Sequence, residues 1–207
     1  MKLYVFNKQI LTPPKCGSRF LYEVYNIDRE YIDLFDIIKI PLTSNIKWVV
    51  LRTPMDLLIS ALHTEFIEWC WNRKSQSLLG GLSKENKFLE EKKLLNKFII
   101  DINSQLHWHH QLFKYLYLFG VSLPTPPTIV MLDDLNDFLT KEMGIEKLPI
   151  FDEVKYNFSN YPIWLSKSEL IQYLIKTYPQ QWIEINTLLK TDELFWYKIQ
   201  NQFSIWK

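Results

Sequence analysis

The sequence has little cysteine, little glycine and no long apolar run. Its two cysteines, Cys16 and Cys70, do not form the closely spaced pairs that bind zinc. Two thiols give no disulfide framework, which favours a reducing compartment. The opening apolar run is too short for a signal peptide, and no uncharged apolar stretch is long enough to cross a membrane. We therefore expect a soluble, cytoplasmic protein without a membrane span.

An excess of charge of either sign is also lacking. The formal net charge is +1, and the pI is about 7.7. General nucleic-acid and membrane-surface binders normally carry a strong basic excess, so neither kind of partner is expected. A hydrophobic content of 47% and an aromatic content of 15% are typical of a folded chain. The length predicts a single domain over residues 1–207.

Apolar runs alternate with segments of helical periodicity along the chain. The runs predict strands before the loop at residues 13–17, at 36–41, at 46–52 and at 124–132. Helices are predicted from Ser18 to Asn26, from Pro54 with Thr53 as its cap, and through the C-terminal third, where Pro179 separates two of them. This alternation favours an α/β fold, a three-layer sandwich with a central parallel sheet.

One of the five glycines lies in the stretch LTPPKCGSRFL, residues 11–21, between a predicted strand and a predicted helix. A helix N-terminus presents unpaired N–H groups and the positive end of a dipole, so this loop suits an anion. Lys15 adds a full charge, and Ser18 adds a hydroxyl. The usual nucleotide-triphosphate loop has its lysine after the second glycine, whereas Lys15 precedes Gly17. The stretch predicts a cradle for phosphate or sulfate.

A second candidate anion site lies in VVLRTPMDLLISAL, residues 49–62. Arg52 ends a predicted strand, at the edge where open α/β sheets bind ligands. Ser60 follows Thr53 by about two helical turns, so both side chains project from one helix face. A guanidinium and a hydroxyl can then hold one phosphate from two sides. The simpler alternatives are a structural ion pair for Arg52 and a bond from Ser60 back to a helix carbonyl.

The two segments, in this order, resemble those of sulfotransferases that use 3′-phosphoadenosine 5′-phosphosulfate, the membrane-bound carbohydrate group in particular. The loop is similar to that family's phosphosulfate loop, and Arg52 with Pro54 and Ser60 is similar to its 3′-phosphate site. The resemblance implies sulfuryl transfer to an acceptor hydroxyl, on a carbohydrate, with 3′,5′-ADP as product and no metal. The donor-binding residues that it implies are Lys15, Cys16, Gly17, Ser18, Arg19, Phe20, Arg52 and Ser60, and Lys15 is also catalytic.

Short downstream segments extend the resemblance to Tyr197. They are HWHHQ (107–111), an acidic pair after the 124–132 strand (Asp133, Asp134), YNFSN (156–160), and a terminal pattern of Asp192, Phe195 and Tyr197. Two positions depart from the family. Arg19 stands where threonine or serine is usual, and Leu57 stands where a second arginine is often found.

The histidines raise the questions of a metal and of a catalytic base. His107, His109 and His110 cannot all face one way on a helix, and no cysteine or carboxylate is spaced as their partner, which disfavours a metal site. Histidine accepts a proton near neutral pH, and His107 matches the family segment, so His107 is the preferred base. The alternative bases are His63, Glu23 and Asp36.

Two other functions stay open at the level of sequence. One is a nucleotide kinase-like phosphoryl-transfer enzyme, which the missing Gly-Lys-Ser/Thr motif disfavours. The other is a non-catalytic glycan-binding protein on the same fold, which the departures at Arg19 and Leu57 allow.

The assignment of His107 as the base gives a kinetic prediction. His107→Ala should lower turnover by about a hundredfold or more while donor affinity stays close to that of the wild type, because a general base acts on the acceptor. Steady-state kinetics with titrated donor measures both quantities. The control is His63→Ala, for which a smaller loss is expected. Equal losses in the two variants would transfer the role away from His107.

Overall fold

A computed structural model of the chain describes residues 2–14, 16–25, 30–33, 36–37, 45–62, 112–149 and 167–207. The chain divides into two compact units. The first comprises residues 1–57, 109–154 and 189–207, and the second comprises residues 58–108 and 155–188. The single domain over residues 1–207 stays a prediction.

The first unit is built on a five-stranded mixed sheet. Its strands are β1 (Lys2–Phe6), β2 (Ile10–Thr12), β3 (Glu30–Asp33), β4 (Trp48–Leu51) and β5 (Thr128–Met131). Their order is β3-β1-β2-β4-β5, with β1 antiparallel to both of its neighbours and β2, β4 and β5 parallel. The α/β class is confirmed, whereas the expected parallel sheet is present only over β2, β4 and β5.

Two features of the sheet differ from the sequence-based expectation. The apolar run before the loop is a hairpin: Asn7 and Lys8 have φ of 48° and 57°, and the Gln9 N–H donates to the Phe6 carbonyl at 3.1 Å. The strand predicted at 36–41 is wrong at its start, because residues 36–37 form a short 3-10 turn and the neighbouring strand is β3. Residues 38–41 lie outside the described residues.

The helices begin largely where the sequence predicts. They are α1 (Ser18–Tyr25), α2 (described over residues 54–62), α3 (Leu112–Ser122), α4 (Leu135–Lys141), α5 (Lys167–Thr177) and α6 (Pro179–Gln202). Thr53 caps α2 as predicted, because the Asp56 N–H donates to Thr53 Oγ1 at 3.2 Å and the Thr53 hydroxyl donates to Asp56 Oδ2 at 2.6 Å. The predicted break at Pro179 is confirmed.

Two apolar clusters form the core of the first unit. On β4, Val49 and Leu51 belong to one cluster and Val50 to the other, as expected for strand side chains that alternate between faces. The first cluster is completed by α3 and α6 residues such as Phe113 and Ile199. The second is completed from α1 and α4. Helical side chains thus take part in both of the clusters to which β4 contributes.

The last residues of the chain protect the β5 edge. The Ile129 N–H donates to the Ser204 carbonyl at 2.8 Å, and the Trp206 N–H donates to the Ile129 carbonyl at 2.9 Å. The Trp206 ring contacts Phe138 edge-on, with centroids 5.7 Å apart. Pairing of this kind satisfies backbone groups that an open edge would leave free.

The described part of the second unit is helical. It comprises the end of α2, all of α5 and the beginning of α6. Leu174 and Ile185 are buried, and Tyr173 and Tyr178 make an edge contact with ring centroids 6.3 Å apart. Among the described helices of the whole chain, none combines the length and apolar character that a membrane span requires.

The packing of α3 against Phe203, the residue that follows α6, gives a stability prediction. A Cβ at Gly120 would overlap the ring of Phe203, which is buried. Alanine favours a helix over glycine by about 1 kcal/mol, but displacing a buried ring costs about 1–3 kcal/mol. Gly120→Ala should therefore lower the free energy of unfolding, measured by urea titration, by about 1 kcal/mol.

Two controls accompany this prediction. Val121→Ala on the same helix, at a side chain that is 44% exposed, should change the free energy of unfolding little. In a Phe203→Leu background, Gly120→Ala should cost less, because the ring is gone. A Gly120→Ala protein more stable than the wild type would contradict the overlap.

Candidate functional site

The parallel strands bring three connecting segments to one edge of the sheet. β2, β4 and β5 run in the same direction, so their carboxyl ends meet there. The segments that leave these ends are the loop at 13–17, Arg52 with Thr53, and the turn Leu132–Asp134. The sequence-based placement of the loop and of Arg52 at a common sheet edge is thus confirmed.

Internal hydrogen bonds close the loop. The Thr12 hydroxyl donates to the Cys16 carbonyl at 2.7 Å and also lies 3.2 Å from the Pro13 carbonyl, while the Cys16 N–H donates to the Pro13 carbonyl at 3.3 Å. Thr12 is fully buried, so water does not compete for its hydroxyl. These bonds therefore hold Thr12, Pro13 and Cys16 together without a ligand.

Gly17 ends the loop under two separate constraints. Its φ is +83°, a conformation that side chains other than glycine rarely adopt. A Cβ at this position would lie 2.7 Å from Leu132 Cδ1 and 3.0 Å from Leu135 Cδ2. The glycine therefore lets the loop approach the start of α4 closely. Both constraints explain why a glycine occupies this position.

The N-terminus of α1 presents backbone donors directly after Gly17. The Gly17 carbonyl accepts from the Leu21 N–H at 2.9 Å, so Gly17 contributes the first acceptor of the helix. Within the described ranges, the amides of Gly17 and Ser18 have no hydrogen-bond acceptor. The Phe20 ring is buried in the core, so Phe20 can contribute only its backbone. These amides can hold an anion.

Arg52 lies against this loop. Its backbone N–H donates to the thiol sulfur of Cys16, and its guanidinium is close enough to act electrostatically on that thiol. Nε of Arg52 is buried, and no hydrogen-bond partner for it exists among the described residues. The structural ion pair, which was the simpler alternative for Arg52, is therefore not formed with any described residue. A buried donor without an acceptor is what an anion site requires.

Cys16 has a different environment from the one that a ligand contact needs. It is fully buried, and burial raises the pKa of its thiol to about 12, against the lowering effects of the Arg52 N–H and the Arg52 charge. Its amide is already bonded to Pro13. The predicted contact between Cys16 and the donor gains no support from this geometry, and the residue instead positions Arg52 and the loop.

The other predicted residues are placed as follows. Lys15 and His107 lie outside the described residues, as do His63, the segment 156–160 and the side chain of Arg19. Ser60 is 8% exposed on α2 and belongs to the second unit. Glu23 and Asp36, the carboxylate alternatives for the base, are exposed.

Two residues that shape the edge were not predicted. Thr12 and Leu132 shape the loop, yet an isolated threonine and an isolated leucine carry no motif that would identify them in advance. The acidic pair Asp133 and Asp134 follows β5 and opposes an anion, but both side chains are exposed, so solvent screens their charge.

Comparisons of this chain with protein-family models, with curated proteins and with solved structures find no match.

The close approach at Gly17 gives a prediction with a matched control. Gly17→Ala should lower the free energy of unfolding by about 2–4 kcal/mol, because positive-φ strain adds to the contacts with two buried leucines. Gly144 also has a positive φ, +66°, but an added Cβ there meets nothing within 4 Å. Gly144→Ala should therefore cost only about 1–2 kcal/mol. Chemical denaturation measures both variants. Equal losses of unfolding free energy would show that Gly17 makes no close contact with Leu132 and Leu135.

Proposed function

We propose that this chain is a sulfotransferase that uses 3′-phosphoadenosine 5′-phosphosulfate as donor, on a three-layer α/β sandwich with a nucleotide-type phosphate-binding loop. One observation carries the proposal: the buried Nε of Arg52, which has no hydrogen-bond partner among the described residues, lies beside the loop that leads into the N-terminal amides of α1. The resemblance of the loop and of the Arg52 segment to the family motifs supports the same reading.

The binding roles follow from the donors at the sheet edge. The Gly17 and Ser18 amides, with the dipole of α1, suit the 5′-phosphosulfate end of the donor. Arg52 suits the 3′-phosphate, because a guanidinium forms paired, charge-assisted hydrogen bonds with phosphate oxygens. The backbone of Arg19 and Phe20 completes the proposed set within the first unit, and the contact expected of Ser60 stays a prediction. Cys16, in contact with the Arg52 amide, lies between the loop and Arg52 and is not assigned to the ligand.

The catalytic roles are assigned to side chains outside the described residues. The bound donor supplies the activated sulfuryl group. Lys15 neutralises the charge that develops on the leaving phosphate oxygen. His107, or in its place His63 or a carboxylate, accepts the proton of the acceptor hydroxyl as the new sulfur–oxygen bond forms. The proposed acceptor is a carbohydrate, and no residue is assigned to a metal.

Ligand preference separates this proposal from its alternatives. 3′,5′-ADP should raise the melting temperature clearly more than 5′-AMP does, because stabilisation by a ligand follows its affinity and only 3′,5′-ADP carries the 3′-phosphate. Stabilisation by ATP with Mg²⁺ and not by 3′,5′-ADP would instead indicate a kinase-like protein. Stabilisation by 3′,5′-ADP without any transfer to a glycan would indicate a non-catalytic relative.

The role of Arg52 gives a prediction with a control on the same strand. Arg52→Ala should weaken binding of 3′,5′-ADP by about 2–3 kcal/mol, a typical loss for a charge-assisted contact to a buried partner. Lys47, which is exposed, precedes β4 and lies at the opposite edge, about 17 Å away along the strand direction. Lys47→Ala removes the same charge and should leave the affinity unchanged. Isothermal titration calorimetry measures both, and equal losses would refute a local contact.

A further inference from the structure

A second buried polar group lies away from the loop, where α6 meets the beginning of α3. Asp192 on α6 is 5% exposed, and its carboxylate accepts a hydrogen bond from the backbone N–H of Phe113 in the first turn of α3. Its other oxygen, Oδ1, is buried and has no hydrogen-bond partner within the described part of the chain. A buried aspartate with one satisfied oxygen is costly when ionised.

Aromatic side chains pack where the Phe113 amide meets Asp192. Phe113 is 1% exposed, and its ring contacts Trp196 of α6 edge-on, with centroids 5.8 Å apart. The charged residues nearest in sequence on the two helices are Lys114, Lys190 and Glu193, and all three side chains are exposed. No described charged side chain contributes to the electrostatics of Asp192. Among the described residues, no cation is therefore available to stabilise the ionised form.

Two effects on Asp192 oppose each other. The Phe113 N–H and the positive end of the α3 dipole favour the ionised carboxylate. Burial favours the protonated acid and is the larger effect, so that the pKa of Asp192 rises from 3.8 to about 7. The carboxyl group thus changes its charge near neutral pH in the folded chain and near pH 4 in the unfolded chain.

We propose that Asp192 is a pH-responsive lock between α6 and the N-terminus of α3, closed while its carboxyl group is protonated and loosened once the group ionises. The sign follows from proton linkage. Between about pH 4 and pH 7 the folded chain holds a proton that the unfolded chain has lost, so stability falls as the pH rises through that interval and then levels off.

The lock has a consequence for the candidate site. α3 begins directly after the segment HWHHQ, residues 107–111, which contains the proposed base. Ionisation of Asp192 would weaken the anchor of the helix that this segment enters. This consequence rests on the proposed function, whereas the lock itself does not. If the lock is confirmed but the protein does not bind 3′,5′-ADP, the lock stands and the proposed function fails.

The lock is tested by comparing the wild type with Asp192→Asn, which keeps the shape and an acceptor oxygen for the Phe113 N–H but cannot ionise. Urea titrations from about pH 4.5 to pH 8.5 give the folding equilibrium constant of each protein. The ratio of wild type to variant should fall by up to about tenfold per pH unit below pH 7 and level off above it. Glu193→Gln, at the adjacent exposed carboxylate, should follow the wild type. A ratio independent of pH would overturn the proposal.

Two measurements on the wild type keep the test decisive even where the variant does not fold. The carboxyl-carbon NMR signal of Asp192 should titrate with a midpoint near pH 7, and a midpoint below about pH 5 would overturn the proposal. The Phe113 amide should lose protection from hydrogen exchange, corrected for intrinsic rates, as the pH rises through that midpoint. Protection that stays constant would show that Asp192 titrates without holding α3.

Discussion

The contact of the Arg52 amide with the buried thiol of Cys16 helps to position the two segments on which the candidate site depends. It joins the end of β4 to the loop that follows β2, and the contact of Gly17 with Leu132 joins that loop to the turn after β5. The ends of three parallel strands are therefore held relative to one another by contacts in the protein interior. A ligand that meets such an edge finds its donors already positioned, so less binding energy is lost in ordering them.

Three buried polar atoms in the first unit have no hydrogen-bond partner among the described residues, and two of them, Arg52 Nε and Asp192 Oδ1, have different meanings. Arg52 Nε lies beside free helix amides at a sheet edge, so an anionic ligand can satisfy it. Asp192 Oδ1 is buried, no described cation acts on this carboxyl group, and protonation is the way to remove its charge. Each unsatisfied buried group costs about 1–3 kcal/mol. Groups that break a local rule in this way often mark function, and here one points to a ligand and the other to pH.

Local chemistry explains which parts of the structure could be predicted. The loop, the start of α1, the cap at Thr53 and the position of Arg52 follow from residues that are neighbours in the sequence. The hairpin at Asn7 and Lys8 was missed because two non-glycine residues adopt positive φ there, and their sequence gives a weak turn signal. The burial of Cys16 and the role of Asp192 depend on contacts between distant segments, which no local pattern contains.

The central claim is that the loop end and the α1 amides hold the phosphate groups of the donor. The most direct test is a two-dimensional amide NMR titration of the ¹⁵N-labelled chain with 3′,5′-ADP, followed at Gly17 and Ser18. Both signals should shift with the same saturation curve, because an anion that accepts from an amide changes its proton shift, while Gly144, in an open turn, should stay in place. Saturable binding that leaves Gly17 and Ser18 unchanged would contradict the account.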